Sequence, residues 1–122
     1  MLSNLQIENE VDLGKKEENE DFYLNLKTNL LVVDKNKQGQ VNLFKKLIQN
    51  LIKEGAIINI ENKNGFTPLI LASQKGFLDI VKELVQNGAE VNYKNKDGKT
   101  ALMFAEENNK TDVVNYLKSL SK

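Results

Sequence analysis

The chain has 122 residues, 40% hydrophobic and 28% charged, enough for one modest core and an ordinary polar surface. Seventeen Lys balance seventeen Asp and Glu and there is no Arg, so no global charge bias points toward nucleic acid or an anionic membrane. The lack of Cys and His removes thiol nucleophiles, imidazole bases, disulfides and zinc sites of the usual nitrogen and sulfur type, leaving carboxylates, hydroxyls, lysines and amides.

The first segment, residues 1–23, holds Glu8, Glu10, Asp12, Glu17, Glu18, Glu20 and Asp21 against Lys15 and Lys16, a balance of −5. The remaining residues, 24–122, balance it at +5, so the sequence reads as an acidic arm on a mildly basic body. Leu2, Leu5, Ile7, Val11 and Leu13 keep neither a helical nor a strand period for long, and the run from Gly14 to Asp21 reads as a solvated linker; disorder is expected there. No apolar run resembles a signal-peptide core, and the longest, Leu30 to Val33, falls far short of the roughly 20 residues a membrane span needs. A soluble, cytoplasmic protein is expected.

Beyond the arm, the sequence repeats itself at a spacing of 33 residues. Comparing 64–88 with 97–121 pairs Gly65 with Gly98, Thr67 with Thr100, Leu69 with Leu102, Ala72 with Ala105, Asp79 with Asp112, Val81 with Val114 and Leu84 with Leu117. The same shift pairs Gly55-Ala56 with Gly88-Ala89 and Asn62-Lys63 with Asn95-Lys96, so three units are visible. In the first unit Phe44, Leu47, Ile48, Leu51 and Ile52 form the buried stripe of an amphipathic helix. In the second, Thr67 is placed to cap a short helix from about Pro68 to Gln74, with proline at the first turn where its missing N–H costs nothing. Gly76 ends that helix, and a second begins near Leu78, with Phe77, Ile80, Val81, Leu84 and Val85 on one face. Gly88-Ala89 stops it, and Asn92 to Gly98 reads as an extended arm and tight turn.

Residues 64–96, with Gly-Phe-Thr-Pro-Leu at one end and Asn-Gly-Ala-Glu-Val-Asn toward the other, resemble a complete ankyrin repeat. The resemblance covers about 24–122 and implies an all-α solenoid of stacked helix-turn-helix units with projecting β-turn loops, forming a concave surface for protein partners. It divides the body into a degenerate N-terminal capping repeat (24–63), a complete repeat (64–96) and a C-terminal capping repeat (97–122). Two and a half to three repeats predict a modest stability of about 3 to 6 kcal/mol.

Three departures carry expectations. Where the family usually has a His that braces the loops, Ile70 and Met103 stand, so loops held by apolar packing are expected. In the first unit, Thr28 to Val33 aligns on Thr67 to Ala72 only with a shift of 39, implying six extra residues around Lys37 to Asn42 as a longer loop or an extra helical turn. Val33 then stands where a small Ala is expected at a close helix approach. In the third unit Val85 is replaced by Lys118, Gly76 by Asn109, Phe77 by Lys110 and Gly88 by Ser121, the polar face expected of an end.

No catalytic pattern emerges. Glu106-Glu107 is the one adjacent acidic pair of the body, and neighbours on a helix point about 100° apart and do not share a site. The glycines are spaced by turns rather than as a phosphate loop. No cofactor or metal is expected. Lys63, Lys94, Lys96 and Lys99 give the loops a basic edge; without Arg there is no bidentate phosphate fork, so contact with an acidic protein surface is preferred over nucleic acid. Phe66 has two readings, a partner-facing aromatic or one packed on Ile70, Met103 or a neighbouring loop, and Tyr93 has the same two. By family position the further partner-binding candidates are Lys63, Asn64, Gln74 and Lys75 in one unit, and Lys96, Asp97, Lys99, Glu107 and Asn108 in the next.

The resulting expectation is a non-catalytic, monomeric adaptor or inhibitor that binds a protein through its loop tips and first-helix face. The alternatives are a structural or self-associating subunit of a larger complex and a small-molecule sensor. The acidic arm folded over a basic loop edge is a further reading of residues 1–23, beside that of a solvated tail.

Overall fold

A computed structural model describes residues 26–120; the acidic arm and Ser121 lie outside the described residues. Six helices follow in order: α1 (26–32), α2 (Gln38–Lys53), α3 (Pro68–Lys75), α4 (Leu78–Gln86), α5 (Ala101–Glu107) and α6 (Thr111–Ser119). The described residues form no strand.

Local chemistry sets the boundaries of the second and third pairs. The Thr67 Oγ1 accepts the Ile70 N–H at 3.1 Å and Thr100 Oγ1 accepts the Met103 N–H at 3.3 Å, so each inner helix starts on a hydroxyl cap. Gly76 takes φ +78° at the end of α3, a left-handed conformation that a Cβ would strain, and Phe77 N–H returns to the Ala72 carbonyl. At the equivalent end of α5, Asn109 takes φ +58° and Lys110 N–H returns to the Ala105 carbonyl. Asparagine is among the few other residues that visit this region routinely, so the replacement of glycine leaves the turn unchanged.

The helices stack in two layers, α3 on α5 in one and α2, α4 and α6 in the other. In α3 every residue from Pro68 to Ser73 is buried, because the helix is covered on all sides. Ala72 and Ala105 sit at equivalent, fully buried points where a small side chain lets backbones approach. In the outer layer one apolar stripe is buried, Val41, Phe44 and Ile48 in α2, Ile80, Val81 and Leu84 in α4, Val113 and Leu117 in α6, and beside it Glu83 is buried with its carboxylate accepting from Gln49 Nε2 and Asn87 Nδ2. Phe44 and Phe77 meet edge to face at 5.9 Å and join the first pair to the second.

The first pair departs from the expected alignment. Thr28 is an exposed residue inside α1, not a cap, and Val33 lies beyond the end of that helix. Leu26 and Leu30, one turn apart, are the residues α1 buries in the common core, and their spacing sets the helix phase in place of the threonine. The extra residues around Lys37 to Asn42 are helical from Gln38 onward, making α2 16 residues long against 9 in each of α4 and α6. A short turn precedes it, in which Asp34 accepts from the Asn36 and Lys37 N–H groups and its own N–H donates to Gln40 Oε1.

Candidate functional site

Two projecting turns carry most of the candidate residues, and both are built by an asparagine. The Asn62 side-chain carbonyl accepts the N–H groups of Asn64 and Phe66 at 2.9 and 3.1 Å, while its backbone N–H donates to the Phe66 carbonyl. Thirty-three residues on, Asn95 Oδ1 accepts the N–H groups of Asp97 and Lys99 at 2.9 and 3.0 Å, and its N–H donates to the Lys99 carbonyl. In each turn the fourth residue is glycine, Gly65 at φ +84° and Gly98 at φ +77°. An Asx side chain that imitates a backbone turn is why Asn-Lys-x-Gly recurs.

The two turns are tied to each other by polar contacts, contrary to the expectation of apolar packing. Asn95 is buried and its Nδ2 donates to the Gly65 carbonyl at 2.8 Å. The Tyr93 hydroxyl donates to Glu61 Oε2 at 2.6 Å, and the Lys96 N–H donates to Glu61 Oε1 at 3.3 Å. Lys96 Nζ reaches the Lys63 carbonyl at 3.0 Å. Nearer the helices, Asn59 donates to the Gly88 carbonyl and accepts from the Glu90 N–H. The missing histidines are thus replaced as braces by Asn59, Glu61 and Asn95, from other positions in the loops. Bonding to the Glu61 carboxylate raises the Tyr93 phenol above its ordinary pKa, since ionising it would break that bond and set two anions together.

The remaining departures have simple burial consequences. Ile70 is fully buried, whereas Met103, at the same point of the following unit, is 41% exposed because no further described unit covers it. Phe66 is half-buried and packs on Phe104, ring centroids 5.5 Å apart and tilted at 48°. Lys99 Nζ lies 5.4 Å from the Phe104 centroid and 3.1 Å from Glu107 Oε2. Met103 and Glu107 lie four residues apart on α5, and Lys99, just before the Thr100 cap, joins them through its ion pair with Glu107 beside the Phe104 ring.

Of the candidate residues, Lys63, Asn64, Lys96, Asp97, Glu107 and Asn108 are exposed, and Phe66, Gln74, Lys75, Tyr93 and Lys99 are half-buried. The structure gathers them at two places: Lys63, Asn64, Lys96 and Asp97 at the turn tips, with Gln74, Lys75, Glu107 and Asn108 at the C-terminal ends of α3 and α5. Asn108 folds back onto the Phe104 carbonyl at 2.8 Å. Sequence reasoning missed Glu61 and Phe104. Phe104 had a signal, since the shift of 33 sets it on Leu71, a buried position whose cover is missing in the last unit. Glu61 had none, because its partners lie 32 and 35 residues away.

Among the described residues no group of His, Cys, Asp or Glu could hold a metal ion, and no helix is long and apolar enough to cross a membrane. A search of curated proteins finds no match to the chain. The family profile for ankyrin repeats, in three copies, matches residues 33–121. Paired helices, capping threonines, a 33-residue spacing and this match agree, and the chain belongs to the ankyrin repeat family.

Proposed function

We propose that the protein is a non-catalytic, monomeric, cytoplasmic adaptor or inhibitor whose turn tips and α3/α5 face bind an acidic surface on another protein. Ankyrin repeats are in general protein-binding modules; the choice of surface and partner chemistry is our reading. The observation that supports it is the bridging of the turns at 62–66 and 95–99 through Asn95, Glu61 and Lys96. Turns already held in one geometry lose little conformational freedom on binding, which favours affinity without a large interface. Lys63 and Lys96 stand exposed on these tips, and Lys94 is exposed beside them. In this reading residues 24–63 and 97–122 act as end repeats around the complete repeat 64–96, and the paired acids of α5 have no catalytic role.

The test is capture from native cell extract by the wild-type chain beside a Lys63→Glu, Lys94→Glu variant, which leaves the Lys96 bridge between the turns in place. Both side chains are exposed, so the variant is expected to keep its fold, checked by circular dichroism. A protein held by wild type and lost by the folded variant supports the reading; equal capture by both places the binding surface elsewhere.

A further inference from the structure

The first helix pair carries an apolar surface that nothing among the described residues covers. Leu31, Val32 and Leu43 are 67%, 69% and 69% exposed, the three most exposed large hydrophobic residues described. Val32, Val33, Leu43, Phe44 and Leu47 line a groove between α1 and α2, with Asn29 and Gln40 at its margins. The helix pair that forms it is rich in lysine. Lys27 lies one turn from Leu31 and Lys46 one turn from Leu43, and residues 26–54 carry six Lys against Asp34 and Glu54, a balance of +4. An apolar groove on a helix pair of net positive charge calls for an occupant with aliphatic side chains and negative charge. A second copy of the same surface meets it with like charge, which disfavours that occupant.

We propose that residues 1–13 of the same chain seat on this groove, with Leu2, Leu5, Ile7, Val11 and Leu13 supplying the apolar contacts and the acidic residues of the arm matched to the net positive charge of the helix pair. The arm has the required composition: five aliphatic residues in thirteen and a balance of −5 over residues 1–23. The tether allows it. Twelve residues separate Leu13 from Leu26, a reach of about 40 Å when extended, while α2 is only about 24 Å long. Covalent attachment also gives the arm an effective concentration that a free partner must exceed. The groove is separate from the turn tips of the proposed partner surface.

The chain contains no Cys, so a single nitroxide can be placed by Asn9→Cys in the otherwise intact protein and its effect read on backbone amide signals. The expected result is loss of more than half the intensity at Val32, Leu43 and Leu47, with Lys118 at the opposite end unaffected. Adding Leu43→Glu, at an exposed position, is expected to restore the Val32 and Leu47 signals with the rest of the spectrum unchanged. Broadening centred on 62–66 and 95–99, no broadening at the groove, or groove broadening that survives Leu43→Glu overturns the proposal. So does the same broadening in a mixture of isotope-labelled protein without nitroxide and nitroxide-bearing protein without isotope, which assigns the groove to a second copy.

Discussion

The two ends of the stack solve the same problem with different residues. At one, α5 and α6 bury Ala101, Ala105, Val113 and Leu117 inward and turn Glu106, Asp112, Asn115 and Lys118 outward. At the other, α1 and α2 bury Leu26, Leu30, Val41, Phe44 and Ile48 inward yet leave Leu31, Val32 and Leu43 in the open. The inner faces are alike because both must match the middle pair; the outer faces differ because no neighbour among the described residues constrains them. A residue's periodicity therefore fixes which face it lies on, and only the presence of a neighbour decides whether that face is inside.

The most severe way to break the comparison is to empty an inner face. Phe44→Ala removes the ring that meets Phe77 and is expected to cost about 3–5 kcal/mol, comparable to the whole expected stability, so urea denaturation finds the variant largely unfolded. Leu117→Ala at the other end is expected to cost about 2–5 kcal/mol by the same mechanism, and a cost below ~1 kcal/mol at either site means that end is not packed as described. Between the ends, Asn95→Ala strips the turn of two accepted N–H groups and the bond to Gly65, with an expected loss of about 1–3 kcal/mol. Asn62→Ala has no such link to a neighbouring turn and is expected to cost less in the same titration.

Smaller effects sharpen the picture. Ser73 is fully buried in α3 with no hydrogen-bond partner for its hydroxyl, so Ser73→Ala is expected to stabilise the fold by about 1 kcal/mol, read as a higher urea midpoint. A loss on that substitution shows that the hydroxyl is satisfied in solution. Leu43→Glu, by contrast, lies on an exposed face, and as a perturbation of the folded body it is expected to stay within about 0.5 kcal/mol.

A pH series isolates the link between the turns. Tyr93 has its pKa raised in the folded state, so its contribution to stability is fully present below about pH 10, the unfolded value, and is lost as pH rises through the folded value. The wild-type advantage over Tyr93→Phe is expected to be constant between pH 7 and 9 and to shrink above pH 10; an advantage that grows with alkalinity contradicts the bond to Glu61.

Much of the fold was legible because its signals are local. Thr67 and Thr100 cap their helices as their spacing before apolar runs indicates, and Gly76 turns left-handed where the stripe of α3 ends. Thr28 looked the same and is not a cap, because Leu26 and Leu30 impose a helix phase that runs through it. The braces between turns were not legible. Asn95 reads as a turn residue in any context, and nothing in its own loop announces that its amide donates to Gly65, 30 residues earlier. Phe66 was open between an inward and an outward reading, and Phe104, offered by the next unit, draws it half inside.

By itself, then, the sequence determined the repeat length, the approximate helix boundaries of the second pair, the inward stripes and the absence of thiol and imidazole chemistry, all consequences of spacing and residue type. The tertiary structure decided which polar side chains lock the turns together, that the extra residues of the first unit lengthen α2, and that Ile70 is covered while Met103 is not. Those outcomes depend on groups roughly 30 residues apart in the chain that meet only when the units stack, and a local pattern carries no record of its neighbour's surface.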